Sequence, residues 1–233
     1  DADLKVPGTE RSVVSYDESG FADPARVEAY LRANMLDPFG FEGWVGPEPF
    51  GTDPLKAGSA VPQGQQGRDG AITDQVVRLI SELDISEDAN PWFLMASFAN
   101  PHDIALWGHV ANLPADDQQR YDFSVPEFVP EEPFDRSLFG RTRTERLDDK
   151  PSCQRSFRDA YSQFLQPSQA GRPYTRAYYR FHADVDRRIG EVMAALEGSS
   201  FSRNTIVVFT SDHGHLLGAH GGLHQKWYTA YEE

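Results

Sequence analysis

The sequence predicts an α/β domain organised on a mostly parallel sheet. Two short apolar runs carry that prediction, PWFLMASF at 91–98 and TIVVFT at 205–210, each as continuous as a strand buried on both faces. Each is preceded, directly or across an excursion, by a strongly amphipathic helical stretch, giving the order helix, strand, excursion, helix, strand. Two strands are too few for a stable sheet, so the rest of it is expected outside this chain.

Residues 1–22 are polar and read as loop with a short strand at VVSY. Residues 24–35 read as a short helix with Val27, Tyr30, Leu31 and Met35 along one side. Asp23 is placed to cap it and Pro24 to occupy its first turn. Residues 37–70 mix Gly, Pro and aromatics without period and read as a long loop, and 71–83 as a helix with Ile72, Val76, Leu79, Ile80 and Leu83 on one stripe.

Residues 108–172 are acidic, Pro-rich and irregular, with weak helical signal at 154–165. They are expected to be an excursion within one domain spanning 1–233, not a second domain. Residues 174–197 give the strongest helical pattern, with Tyr178, Phe181, Val185, Ile189, Val192 and Leu196 stepping by three and four.

Net charge is −14 over 233 residues, which argues against nucleic acid or an anionic membrane surface as a partner but leaves room for a local anion pocket. No apolar run approaches the roughly 20 residues of a membrane span. The single Cys153 excludes an internal disulfide framework and, set in the acidic excursion, reads as a bystander. The opening residues DADLKVPGTE hold no initiator Met, no basic n-region and no apolar leader, so either the start has been processed away or this is a piece of a longer polypeptide.

Chemistry gathers where the apolar runs end. The first is followed by Asn100, His102 and Asp103, the second by Ser211, Asp212, His213 and Gly214. In open α/β sheets ligands bind beyond the carboxyl ends of strands, so adjacent ends would bring His102 toward Asp212 and His213. A carboxylate beside an imidazole is a good ligand pair. Oxygen ligands favour Ca²⁺ or Mg²⁺, and imidazole shifts the preference toward Mn²⁺ or Zn²⁺. The competing reading is an Asp that caps the next helix beside a surface His. His215, His220 and His224 lack the spacing and cysteines of a zinc finger. Lys226, among aromatics after this turn, is suited to an anion.

These segments together resemble the sulfatase family of the alkaline phosphatase superfamily. The residues that carry the likeness are TIVVFTSDHG…LGAHG…K…YEE, PWFLMASFANPHD and YYRFHADVDRRIGEVMAAL, with GWVGPEP and TDQVVRLI, in the same order over most of 40–233. The resemblance implies an alkaline-phosphatase-like sheet flanked by helices, incomplete in this chain. It implies that Asp212 and His213 are metal ligands, that His102 and Lys226 contact the sulfate and the leaving group, and that His220 lines the substrate site. It implies a divalent metal, calcium first with manganese or zinc as alternatives, and a formylglycine nucleophile made from a Cys/Ser-x-Pro-x-Arg motif. That motif and the family's paired N-terminal Asp ligands have no counterpart here. Both are expected in the remainder of the polypeptide, which would also supply the C-terminal part of the domain, and the fragment alone is expected to be inactive. Many relatives follow SDHG with Asp or Glu, whereas this chain has His215.

The implied reaction is metal-dependent hydrolysis of a small-molecule sulfate monoester. Lys226 would hold a sulfate oxygen and His102 would serve the departing oxygen. The alternatives are a phosphonate or phosphate ester hydrolase of the same superfamily and a non-catalytic sulfatase-like binding module.

Overall fold

The computed structural model describes residues 3–17, 21–46, 67–86, 90–106, 127, 146–164, 172–224 and 226. Most of the predicted loop at 37–70 and of the excursion at 108–172 lies outside these residues. The chain divides into two compact units.

The first unit is made of residues 1–100, 120–122 and 184–204. Near its start, Lys5 pairs with Ser12 and Tyr16 with Ala22 in isolated antiparallel bridges, which is all that forms of the strand expected at VVSY. Helix α1 (Pro24–Ala33) begins where the sequence places it. The Asp23 carboxylate accepts from the N–H groups of Ala25 and Arg26 at 3.0 and 3.2 Å, and Asn34 closes the helix in the left-handed region. Val27 and Tyr30 are buried as expected, and the Tyr30 hydroxyl donates to the Val13 carbonyl at 2.8 Å. Leu31 and Met35 are exposed instead, and Met35 lies beyond the end of the helix.

Helix α2 (Arg68–Ile85) packs Val76 and Ile80 against Leu196 of helix α4 (Arg172–Gly198), with Ile72, Trp92, Leu94, Ala96, Val192, Met193 and Phe201 around them. Burying this set is the main driving force for the unit. Trp92 meets Phe201 edge-on at 5.4 Å.

The segment 91–98 is extended and alternates strictly. Trp92, Leu94 and Ala96 turn toward the helices, while Phe93 and Met95 stand 83% and 74% exposed. The segment 205–210, in the second unit, leaves Ile206 to Phe209 exposed. Among the described residues neither segment belongs to a β-ladder, so the predicted parallel sheet is not seen there. The physical reason is that a strand's backbone groups need a partner strand, and an apolar run announces burial without naming what buries it.

Asp69, in the first turn of α2, is 2% exposed and accepts from the N–H groups of Ala99 and Asn100 at 2.6 and 3.1 Å. Burial pushes its carboxyl up and these hydrogen bonds pull it back down, with burial the larger. The carboxylate thereby fixes the backbone where the first apolar run turns, two residues before His102.

The second unit holds residues 101–119, 123–183 and 205–233. A 3₁₀ helix (His102–Leu106) opens it, followed by helix α3 (Ser152–Phe164), the first half of α4 and a one-turn helix α5 (Ala219–Gly222). Its core joins Leu147, Leu216 and Leu223, with Phe157 of α3 against them. Cys153 is exposed on α3.

Replacing Asp69 by Ala leaves two backbone donors without their acceptor, so unfolding of the full-length protein in urea should show a loss of about 2–4 kcal/mol. Asp69→Asn, which keeps one acceptor oxygen, should lose less. A loss below about 0.5 kcal/mol for Asp69→Ala would show that the turn at 99–100 does not depend on this carboxylate.

Candidate functional site

All residues of the site described here belong to the second unit. The chain leaves the extended run at Thr210 and enters a turn that folds its polar side chains onto its own backbone. The Ser211 hydroxyl donates to the His213 carbonyl at 2.7 Å, and the His213 N–H donates to Asp212 Oδ1 at 2.9 Å. These local bonds leave Asp212 Oδ2 outward, on a side chain 85% exposed, at 3.4 Å from His213 Nε2.

The ring nitrogens of His213 are assigned by their neighbours. Nδ1 lies 2.8 Å from the Gly214 carbonyl, which can only accept, so Nδ1 carries the proton. Nε2 meets the ammonium of Lys226, which can only donate, so Nε2 presents a lone pair. The lone pair and Asp212 Oδ2 are two electron-rich atoms side by side, a juxtaposition that is favourable only with a cation before them. In this structure the Lys226 ammonium meets the His213 side of that pair.

The donor set fits a metal in part. An oxygen and an imidazole nitrogen 3.4 Å apart are close to the edge of a coordination shell whose bonds are about 2.0–2.5 Å long. The shell is not complete: among the described residues no group of three or more His, Cys, Asp or Glu side chains converges on one point.

Behind this pair stands His215. The Leu217 N–H donates to its Nδ1 at 2.9 Å, which leaves the proton on Nε2, and Nε2–H donates to the Tyr174 hydroxyl oxygen at 3.1 Å. Tyr178 lies 5.3 Å away ring to ring and His224 6.4 Å. Burial holds the His215 imidazole down at about 3, helped by the nearby His224, His213, His102 and His182, so the ring is neutral at ordinary pH. Burial likewise pushes the Tyr178 phenol up to about 12. The turn that His215 caps is tight. Leu217 and His220 take left-handed backbone angles (φ 49° and 50°), each costing on the order of 1 kcal/mol, beside Gly218 at φ 86°.

The structure therefore brings together three of the five residues singled out from the sequence: Asp212, His213 and Lys226. His102, exposed at the start of its 3₁₀ helix, is near enough to His215 to act on its protonation. His220 is carried by α5 rather than by the 211–215 turn. Sequence reasoning missed Tyr174 and underused Tyr178, which it assigned to the core stripe of α4. Their signal is visible in retrospect, since Tyr174, Tyr178 and His182 recur every four residues and so share one helix face.

The family model for Sulfatase matches residues 15–233. The chain belongs to the sulfatase family. Iduronate 2-sulfatase of Mus musculus is 28% identical to it over 162 residues, 66% of this chain and 26% of that protein. Choline-sulfatase of Rhizobium meliloti is 27% identical over 151 residues, 64% of this chain and 26% of that protein. Arylsulfatase K of Danio rerio is 49% identical over a shorter stretch of 43 residues. The chain thus spans about a quarter of the length of the first two. No solved structure matches it. Membership of the family implies an alkaline-phosphatase-like α/β fold for the sulfatase domain, in keeping with the fold class read from the sequence.

The His215 shift sets a pH window for stability. Its folded value of about 3 lies below its ordinary 6.5, so between those values the unfolded chain binds a proton that the folded chain does not. Stability is therefore expected to fall as pH drops from about 6.5 toward about 3, and to gain nothing from this group above that window. In urea midpoints of the full-length protein, the loss between pH 7 and pH 5 should be smaller for His215→Asn than for the parent. Equal losses would mean that His215 titrates normally in the folded state.

Proposed function

We propose that the full-length protein hydrolyses small-molecule sulfate monoesters with a divalent cation, calcium first, held in part by Asp212 and His213. The observation that carries this reading is the pairing of Asp212 Oδ2 with the His213 Nε2 lone pair at 3.4 Å, under the Lys226 ammonium, in a chain of the sulfatase family. The family generally uses a metal ion and a formylglycine. The cation, when bound, would neutralise negative charge on the ester's oxygens and make the nucleophile easier to deprotonate. The formylglycine and the other ligands would come from the remainder of the polypeptide.

Each local residue has a definable task. Asp212 supplies a hard, exposed oxygen. His213 supplies one nitrogen, aimed by the bond from its Nδ1–H to the Gly214 carbonyl. A single lone pair serves one cation, so with Nε2 committed to a metal the Lys226 ammonium would be available to pair with an oxygen of the sulfate. His102, exposed beside this turn, hydrogen-bonds the departing oxygen and donates its proton as the S–O bond breaks. The requirement is greatest for a poor leaving group, which cannot depart as an anion.

Calorimetric titration of the full-length protein with CaCl₂, MnCl₂ and ZnCl₂ tests the cation. Asp212→Asn and His213→Ala should each weaken binding of the preferred metal at least about 10-fold. Wild-type affinity in both would remove these residues from the shell.

His102→Ala tests the acid. Turnover of an alkyl sulfate should fall about 100-fold or more, while that of 4-nitrophenyl sulfate should fall much less. Equal effects on the two esters would exclude proton donation by His102. Faster cleavage of a phosphonate monoester than of any sulfate ester would reassign the substrate class.

A further inference from the structure

We propose that His215 is a positioning residue: its ring, held between the Leu217 N–H and the Tyr174 hydroxyl, sets the turn that keeps Lys226 and the His213 lone pair in register. The proposal rests on the sulfatase-site reading above and adds a component to it.

The segment from Gly214 to Lys226 has little regular structure to hold it. Among the described residues, backbone bonds that shape it run from Ala219 N–H to the Leu216 carbonyl at 2.8 Å, from Leu223 N–H to the Ala219 carbonyl at 2.8 Å, and from Gly218 N–H to the Leu223 carbonyl at 2.7 Å. The loop reverses at Leu217, a branched residue in a left-handed conformation that its β-carbon disfavours. Leu217 is 6% exposed, so its N–H has to find an acceptor inside the protein. The acceptor is His215 Nδ1, two residues back. The other face of the same ring is tied to α4, whose Tyr174 is 1% exposed and cannot swing away. His215 thus fastens the strained turn to a helix, through the residue that directly follows the His213–Gly214 pair.

Imidazole is suited to this place in a way that a carboxylate is not. A carboxylate could accept from both the Leu217 N–H and the Tyr174 O–H, but it would add negative charge beside Asp212. The neutral Nε2–H tautomer accepts on one side, donates on the other and adds no charge.

The test uses the full-length protein with calorimetric Ca²⁺ titration as the main readout. His215→Leu keeps bulk and removes both bonds. His215→Asn places an acceptor oxygen near the position of Nδ1. Tyr174→Phe removes only the bond to the helix. Ca²⁺ affinity should fall about 10-fold in His215→Leu, stay near wild type in His215→Asn, and fall by a smaller factor in Tyr174→Phe. Wild-type affinity in a folded His215→Leu, or an Asn variant no better than Leu, overturns the proposal by showing that the ring acts only as filler. If His215→Leu does not fold, the Asn and Phe variants decide on the same criteria, with an unaffected Phe variant counting against it. If the wild type binds no Ca²⁺, the cation reading fails, and the positioning role is judged separately by ¹⁵N spectra of the His213 ring in metal-free protein. The signature of an Nε2 engaged by Lys226 should persist in His215→Asn and be lost in His215→Leu. An identical signature in every variant would overturn it.

Discussion

Two nitrogens of one imidazole, given opposite tasks, organise the end of this chain. At His213 the proton sits on Nδ1 and is used against the Gly214 carbonyl, so the Nε2 lone pair has to face outward, beside the Asp212 carboxylate. Two electron-rich atoms held that close favour positive charge nearby, and the Lys226 ammonium meets the Nε2 lone pair. The turn, the strained Leu217, the His215 cap and the tyrosines of α4 can all be understood as what keeps that arrangement from relaxing. On a chain carrying a net charge of −14, a locally fixed cation matters more for any anionic ligand than it would in a basic protein.

The two units do different mechanical work. In the first, α2 and the second half of α4 bury Val76, Ile80 and Leu196, and Asp69 pins the backbone at Ala99 and Asn100. In the second, a smaller cluster of Leu147, Leu216, Leu223 and Phe157 supports the turn from within, because Leu216 and Leu223 are themselves part of it. Packing and polar geometry are therefore not separable near the site, since the leucines that fill the core are the neighbours of the histidines that carry the chemistry.

The helices were legible in the sequence because each carries its own explanation. A stripe at helical spacing, an Asp23 cap and a Pro24 first turn are local facts, and they place α1, α2 and α4 within a few residues. The sheet was not legible to the same degree. The apolar runs at 91–98 and 205–210 announce extended, buried chain, yet among the described residues neither finds a ladder partner, and Phe93 and Phe209 are exposed. For the site, SDHG and the following Lys drew attention to Asp212, His213 and Lys226, and the structure brings these three side chains together around the His213 ring. The supporting shell was hidden. Tyr174 and Tyr178 look like ordinary core aromatics until the fold shows that His215 stands against their face of the helix.

The central proposal is a divalent cation shared by Asp212 Oδ2 and His213 Nε2, taking the Nε2 lone pair that the Lys226 ammonium now meets. The most direct measurement is a crystal structure of the full-length protein grown with CaCl₂, with the ion located by its anomalous signal. The account predicts Ca²⁺ within about 2.3–2.6 Å of both atoms, or close to that for the softer nitrogen, and Lys226 withdrawn from His213. A calcium ion bound elsewhere, with Lys226 still seated on the His213 ring, would contradict it.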